Sequence, residues 1–153
     1  MPEPAAPRPR IALAFDFGRR RIGMAAGDTL TATAAPRPAV AAHAGVPDWQ
    51  AITREIRALC PHVLIVGVPY NADGSDGSLA QAAREFGQTL RARFALPVEH
   101  VDEHGSSVEA GRHLKDQRAS GQRRRRVHKE DIDSAAAAVI LTRWLAGEGD
   151  HKP

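Results

Sequence analysis

Apolar positions along the chain change spacing in a regular order. Residues 10–17, RIALAFDF, form a short apolar run with aromatic and β-branched content, and RIGMAAGD (21–28) follows within a few residues; together they predict a hairpin of strands. TATAAPRPAV (31–40) predicts a third strand, placed at an edge by Pro36 and Pro38. In VPDWQAITREIRALC (46–60), Val46, Trp49, Ile52, Ile56 and Leu59 recur at helical spacing, with Asp48 as candidate N-cap. HVLIVGVP (62–69) is apolar throughout, the pattern of a central parallel strand covered on both faces.

Helical spacing returns in residues 75–94, with Leu79, Ala83, Phe86, Leu90 and Phe94 on one face, and LPVEHVDE (96–103) predicts another strand, completing a βαβ unit. SSVEAGRHLKDQ (106–117) predicts a short helix with a serine start. A polar stretch from Arg118 to Lys129 has no periodicity and no acid and reads as a mobile basic loop. The last helix is expected in EDIDSAAAAVILTRWLAG (130–147), with Ile132, Ala136, Val139, Ile140 and Trp144 toward the core and Gly147 as C-cap. Strands first and then alternating with helices predict an α/β fold: a mixed sheet with helices on both faces. One domain is expected over residues 11–147, between a Pro-, Ala- and Arg-rich lead-in (1–10) and a short tail (148–153).

Composition narrows the class without choosing within it. With 42% hydrophobic and 25% charged residues the chain is ordinary for a globular protein, and a net charge of +3 permits a polyanionic partner without requiring one. Cys60 is the only cysteine, which excludes an internal disulfide and a CxxC metal site, and no role is assigned to it. No apolar run approaches the roughly 18 residues of a membrane span and the start lacks a signal-peptide core, so a cytoplasmic protein without a membrane partner is expected.

The chemistry is carried by acids at element ends. Asp16 interrupts the apolar first strand, where an unpartnered carboxylate is costly. Glu103 ends the last strand beside Asp102, and Asp133 lies in the first turns of the last helix with Asp131 as alternative. Ligand sites of open α/β sheets form beyond the carboxyl ends of strands, so such a fold can bring these acids together. Converging carboxylates repel and raise one another's pKa unless a cation neutralises them, and Mg²⁺ or Mn²⁺ suits such oxygen ligands. A pair of such ions can stabilise both the attacking and the leaving oxygen of a phosphoryl displacement.

FDFGRRRIGMAAGD (15–28), GVPYNADGS (67–75), VDEHGSSVEA (101–110) and DIDSAAAAVIL (131–141) resemble, in order and spacing, the motifs of the YqgF (RuvX) family, whose members are named pre-16S ribosomal RNA nucleases and Holliday junction resolvases. The resemblance spans Ile11 to Leu145. It implies a ribonuclease H-like fold, a divalent-metal requirement, hydrolysis of nucleic-acid phosphodiesters, and Asp16, Glu103 and Asp133 as the catalytic and metal-binding triad. It further implies action on pre-ribosomal RNA in ribosome biogenesis, with ribosomal particles as partners and monomer and homodimer both open, or action on branched DNA.

Substrate contacts are expected from Arg20 and Arg21, from Asn71 at the cleft rim, and from Arg123, Arg124, Arg125 and Arg126, whose run directly precedes the helix carrying Asp133. After Glu103 the family commonly has an arginine and two threonines; here His104, Ser106 and Ser107 stand there. The serines keep the hydroxyls, whereas histidine is charged only near and below its pKa of about 6.5. Two rival classes are weighed. An Asp-x-Gly turn after a first strand also opens the phosphate sites of actin- and hexokinase-like ATPases, but those need a second such half, for which 153 residues are too few. A non-catalytic nucleic-acid-binding protein would keep the fold and the basic loop without turnover, and the intact acids argue against it.

Overall fold

β1 (Ile11–Asp16) is flanked on both sides within the sheet and covered on both faces. Its alternation sorts large from small: Leu13 and Phe15 project into one buried cluster, Ala12 and Ala14 into the other. A computed structural model describes residues 9–69, 78–102 and 129–147, with residue 78 and residues 129–133 as backbone only. The further strands are β2 (Arg21–Asp28), β3 (Thr33–His43), β4 (Val46–Pro47), β5 (Val63–Val68) and β6 (Val98–Asp102). Their order is β4-β3-β2-β1-β5-β6, antiparallel from β4 to β1 and parallel across β1, β5 and β6. The expected mixed sheet is therefore present, and every residue of β5 is buried between its parallel neighbours.

Helices α1 (Trp49–Leu59) and α2 (Ser78–Phe94) cover the Leu13/Phe15 face through Ile52, Ile56, Ala83, Phe86 and Leu90. Helix α3 (Lys129–Leu145) covers the opposite face through Ala137, Ile140, Leu141 and Trp144. Small residues on both sides let α3 lie close. A Cβ on Gly27 of β2 would stand 2.1 Å from the Thr33 carbonyl oxygen and 3.1 Å from Leu141 Cδ2, so only glycine fits under the helix there.

Several boundaries differ from the sequence reading. Val46, expected on the apolar face of the first helix, instead pairs with His43 in β4 and is 62% exposed. The cause is Pro47, which disfavours helical backbone in the residue before it. Helix α1 starts at Trp49, where the Asp48 side chain accepts from the Ala51 N–H at 3.2 Å, as expected of its N-cap. Pro36 and Pro38 lie in the part of β3 that β4 does not reach, because β4 pairs only with Ala42 and His43.

In α3, Val139 is half-buried, whereas Ala137 and Leu141, outside the expected set, are fully buried. Lys129, read as loop, opens that helix, and Gly147 (φ 96°) ends it by donating to the Trp144 carbonyl at 3.0 Å. Arg10, in the stretch read as a lead-in, is held by a 2.9 Å bond from its N–H to Thr29 Oγ1 and stacks 5.5 Å from the Trp144 ring centroid. The helix expected over 106–117 and the loop from Arg118 to residue 128 lie outside the described residues. No helix among the described residues is long and apolar enough to cross a membrane.

Candidate active site at the carboxyl ends of the parallel strands

Asp16 is the last residue of β1 and is half-buried. In register it stands opposite Gly23 of β2 and Gly67 of β5, so no side chain flanks it in either neighbouring strand. Alternation places it on the same face as Ala12 and Ala14, the face covered by α3. The next residues, Phe17 and Gly18, turn the chain away: a Cβ on Gly18 would come within 2.5 Å of the Arg21 carbonyl oxygen. The turn is fastened to the end of β3 by bonds from the Ala42 N–H to the Arg20 carbonyl (2.8 Å) and the Gly45 N–H to the Arg19 carbonyl (3.2 Å). Arg19 and Arg20 are exposed, and Arg21 is half-buried at the start of β2.

Register also fixes where β6 ends. Gly67, beside Asp16, is opposite Val101, and Val68 is opposite Asp102, so β1, β5 and β6 finish at one edge of the sheet. Two strand spacings of about 4.8 Å separate β1 from β6. Glu103 is the next residue in the chain after Asp102 and lies outside the described residues.

The direction of α3 follows from contacts at its two ends. Near its start, the buried Ser134 hydroxyl donates to the Arg37 carbonyl at 2.7 Å; Arg37 is opposite Met24, which is opposite Phe15, the neighbour of Asp16. Near its finish, Trp144 Nε1 donates to Glu99 Oε1 at 3.2 Å, and Arg10 lies over the indole. Helix α3 therefore runs antiparallel to β1, with its N-terminal, positive dipole end at the Asp16 end of the strand. The backbone of Asp133 stands one residue before Ser134.

Ser134 finds its acceptor through an irregularity. Pro38 and Ala39 of β3 together oppose Gly23 alone, because Val40 pairs with Ile22 and Arg37 with Met24. This is a β-bulge, and it falls beside the Gly23–Asp16 pair. The Arg37 side chain meanwhile forms an ion pair with Glu55 of α1, whose hydrogen bond and charge raise the guanidinium pKa above its ordinary value. Arg37 thus touches the helical layer on each face of the sheet. Sequence reasoning missed both residues; the one available signal was Ser134 as a polar position at the head of an alanine run.

Of the expected site residues, Asp16, Arg20 and Arg21 are described with their side chains and Asp133 by its backbone. Asn71, Glu103, His104, Ser106, Ser107, Arg123, Arg124, Arg125 and Arg126 lie outside the described residues. Among the described residues no three His, Cys, Asp or Glu side chains converge as a metal centre. Asp102, the neighbour weighed against Glu103, is exposed, and its carbonyl accepts from Arg143 Nη1 at 3.0 Å.

Residues 10–147 match the family model described as "RuvX: Holliday junction resolvase". A protein of Nitrosococcus oceani named "Putative pre-16S rRNA nuclease" is 46% identical over 142 residues, covering 93% of this chain and 90% of its own. One of the same name from Xanthomonas euvesicatoria pv. vesicatoria is 46% identical over 147 residues, covering 95% and 94%. In fold the chain is similar to T. thermophilus RuvC, solved in complex with a Holliday junction substrate, with a TM-score of 0.52 at 15% identity over 90% of this chain and 94% of that one. The match across residues 10–147, together with relatives of this identity over nearly their whole length, shows that the chain belongs to the RuvX family.

Proposed function

We propose that this chain is a divalent-metal-dependent nuclease that hydrolyses phosphodiesters of pre-16S ribosomal RNA in the cytoplasm. The observation that carries the reading is the placement of Asp16: at the carboxyl end of β1, between two glycines, on the face and at the end where α3 begins. Family membership and the names of the relatives support the reaction class.

Asp16, Glu103 and Asp133 are the residues we assign to metal binding and catalysis. Their fit to a metal rests on donor chemistry. Asp16 offers hard carboxylate oxygens between two residues that carry no side chain, and the other two supply the same donor type, an all-oxygen set that suits Mg²⁺ or Mn²⁺. When bound, such ions offset charge on the attacking and leaving oxygens of the phosphodiester.

The remaining roles belong to side chains that bind the strand. Exposed Arg20, with Arg21 behind it, offers guanidinium donors to a phosphate just beyond Asp16, and Arg123 to Arg126 add charge without reading sequence. Asn71, Ser106 and Ser107 donate hydrogen bonds. His104 offers an imidazole N–H to the same strand.

Branched DNA is the second reading, favoured by the family's description and by the RuvC-like fold. One experiment separates the two. Purified protein is given precursor 16S RNA and a four-way DNA junction side by side, with Mg²⁺, Mn²⁺ or EDTA. Metal-dependent cutting of the RNA alone is the expected result; cutting of the junction alone transfers the assignment to a resolvase, and cutting of neither leaves a binding protein.

A further inference from the structure

On the α1–α2 side, away from α3, lies a groove of about 330 Å³ lined by Trp49, Gln50, Thr53, Arg54, Arg57 and Arg93. Three arginines and no acid line it, and all three are exposed. Their arrangement is partly fixed in advance. The Arg93 guanidinium carbon lies 4.4 Å from the centroid of the Trp49 indole, and that indole is held by Phe86 at 5.7 Å and 26° and by Phe94 at 6.4 Å. A guanidinium stacked on an immobile ring keeps its N–H edges for an anion and loses little side-chain freedom on binding one. Arg54 and Arg57 stand one helical turn apart on α1, across the groove.

A second groove, of about 310 Å³, meets this one at Trp49 and reaches Phe17 and Arg19, the residues that follow Asp16. Asp16 itself lines neither groove, because its side chain is on the opposite, α3-covered face of the sheet. Glu85 faces the second groove, together with apolar Phe17, Val46 and Phe86, so phosphate binding is assigned to the arginine groove alone.

We propose that Arg54, Arg57 and Arg93 hold the phosphate backbone of the nucleic-acid substrate on the face of the sheet opposite Asp16, as a sequence-independent anchor separate from the arginines around the site. The proposal rests on the reading that nucleic acid is the substrate. The occupant follows from charge complementarity: three exposed arginines, one of them held on the Trp49 ring, and no acid in the lining. Base stacking is not invoked, because Arg93 and Phe86 already cover the Trp49 ring.

The test is equilibrium binding of a labelled single-stranded RNA in EDTA, where no cutting occurs, across a series of salt concentrations. Three single-strand phosphate contacts contribute about 2 to the slope of log affinity against log salt, at about 0.7 each. R54Q/R57Q/R93Q should lose that much slope and about tenfold or more in affinity at low salt. R54Q/R57Q, which leaves the Trp49 stack untouched, should lose about two thirds of the slope change. R91Q removes an exposed charge two residues from Arg93 in sequence but outside the groove's lining and should leave the slope near wild type. Thermal melts confirm that each variant is folded.

A triple variant with wild-type slope and affinity overturns the proposal and leaves the groove to an acidic protein partner. A slope loss for R91Q as large as for a groove arginine overturns the location. Cutting of the same RNA with Mn²⁺ is scored separately: wild type that binds with full slope but never cuts defeats the nuclease reading and not this one.

Discussion

On one face of the sheet, β1 presents Leu13 and Phe15 to Ile52, Phe86 and Leu90; on the other it presents Ala12 and Ala14 to an alanine-rich helix. The first face is an aromatic and aliphatic layer in which Phe86 meets Phe15 edge-on at 5.4 Å, Phe17 at 5.1 Å and Trp49 at 5.7 Å. The second is tapered. Buried Ala135, Ala136 and Ala137 occupy the start of α3 near the Asp16 end, while Ile140, Leu141 and Trp144 fill the wider far end. Burial energy scales with apolar area, so the first face contributes more stability. Close approach scales inversely with side-chain size, so the second sets how near the backbone of Asp133 comes to β1. Stability and positioning are assigned to opposite sides of one strand.

The contrast can be broken most sharply at Asp16, which is on the alanine face and does no packing for the other. Asp16→Asn should lower metal-dependent cleavage about 10³-fold, equivalent to roughly 4 kcal/mol of barrier, with a melting temperature close to wild type. Wild-type rates with Mn²⁺ would remove Asp16 from the site. Phe86→Ala strikes the bulky face instead. It should cost about 3–5 kcal/mol in urea unfolding while the folded fraction retains its specific activity.

Ala14→Val tests the converse. Overpacking beneath α3 should cost about 1–3 kcal/mol, and cleavage per folded molecule should fall by more than it does for Phe86→Ala. Equal activity losses for the two would end the division of labour. Ser134→Ala removes one hydrogen bond that fixes the start of α3 and leaves the Arg37 carbonyl without it; about 1 kcal/mol and a measurable loss of cleavage are expected.

The smallest effect is expected in the turn after β2, outside both faces. There the Thr31 backbone N–H, at 2.7 Å, and then the Thr31 hydroxyl hold the Asp28 pKa below its ordinary value of 3.8. A carboxylate with a depressed pKa adds stability above its unfolded value and loses it as pH falls through the folded one. Asp28→Ala should therefore be slightly less stable than wild type at pH 7 and level with it in strong acid, as read from thermal melts at both pH values.

The same contrast explains what could be read from sequence. The bulky face declared itself because Leu, Ile and Phe give strong periodicity: Ala83, Phe86 and Leu90 were placed correctly on α2, as was β5 from its unbroken apolar run. On the alanine face the signal is weak. Four consecutive alanines carry no periodicity of their own, so the inward set expected from spacing has Val139 in place of Ala137 and Leu141. Val46 was misplaced because helical spacing ignores the backbone restriction that Pro47 imposes.

Asp16 was legible as an acid in an apolar strand. The roles of Gly23, Gly67 and Ser134 were not, since each depends on strand register or on a carbonyl 97 residues away.

That separation of 97 residues between Ser134 and Arg37 has a consequence for synthesis. Strands β1 to β4 and α1, residues 11–59, leave the ribosome as a run of mostly local contacts, and domains fold from the N-terminus as they emerge. The helix that carries Asp133 is made after all six strands described above, yet it packs on β1 and β2. A growing chain therefore displays Asp16 while the helix that covers its face is still to be made. The order of translation thus delays assembly of the proposed site until α3 has been made.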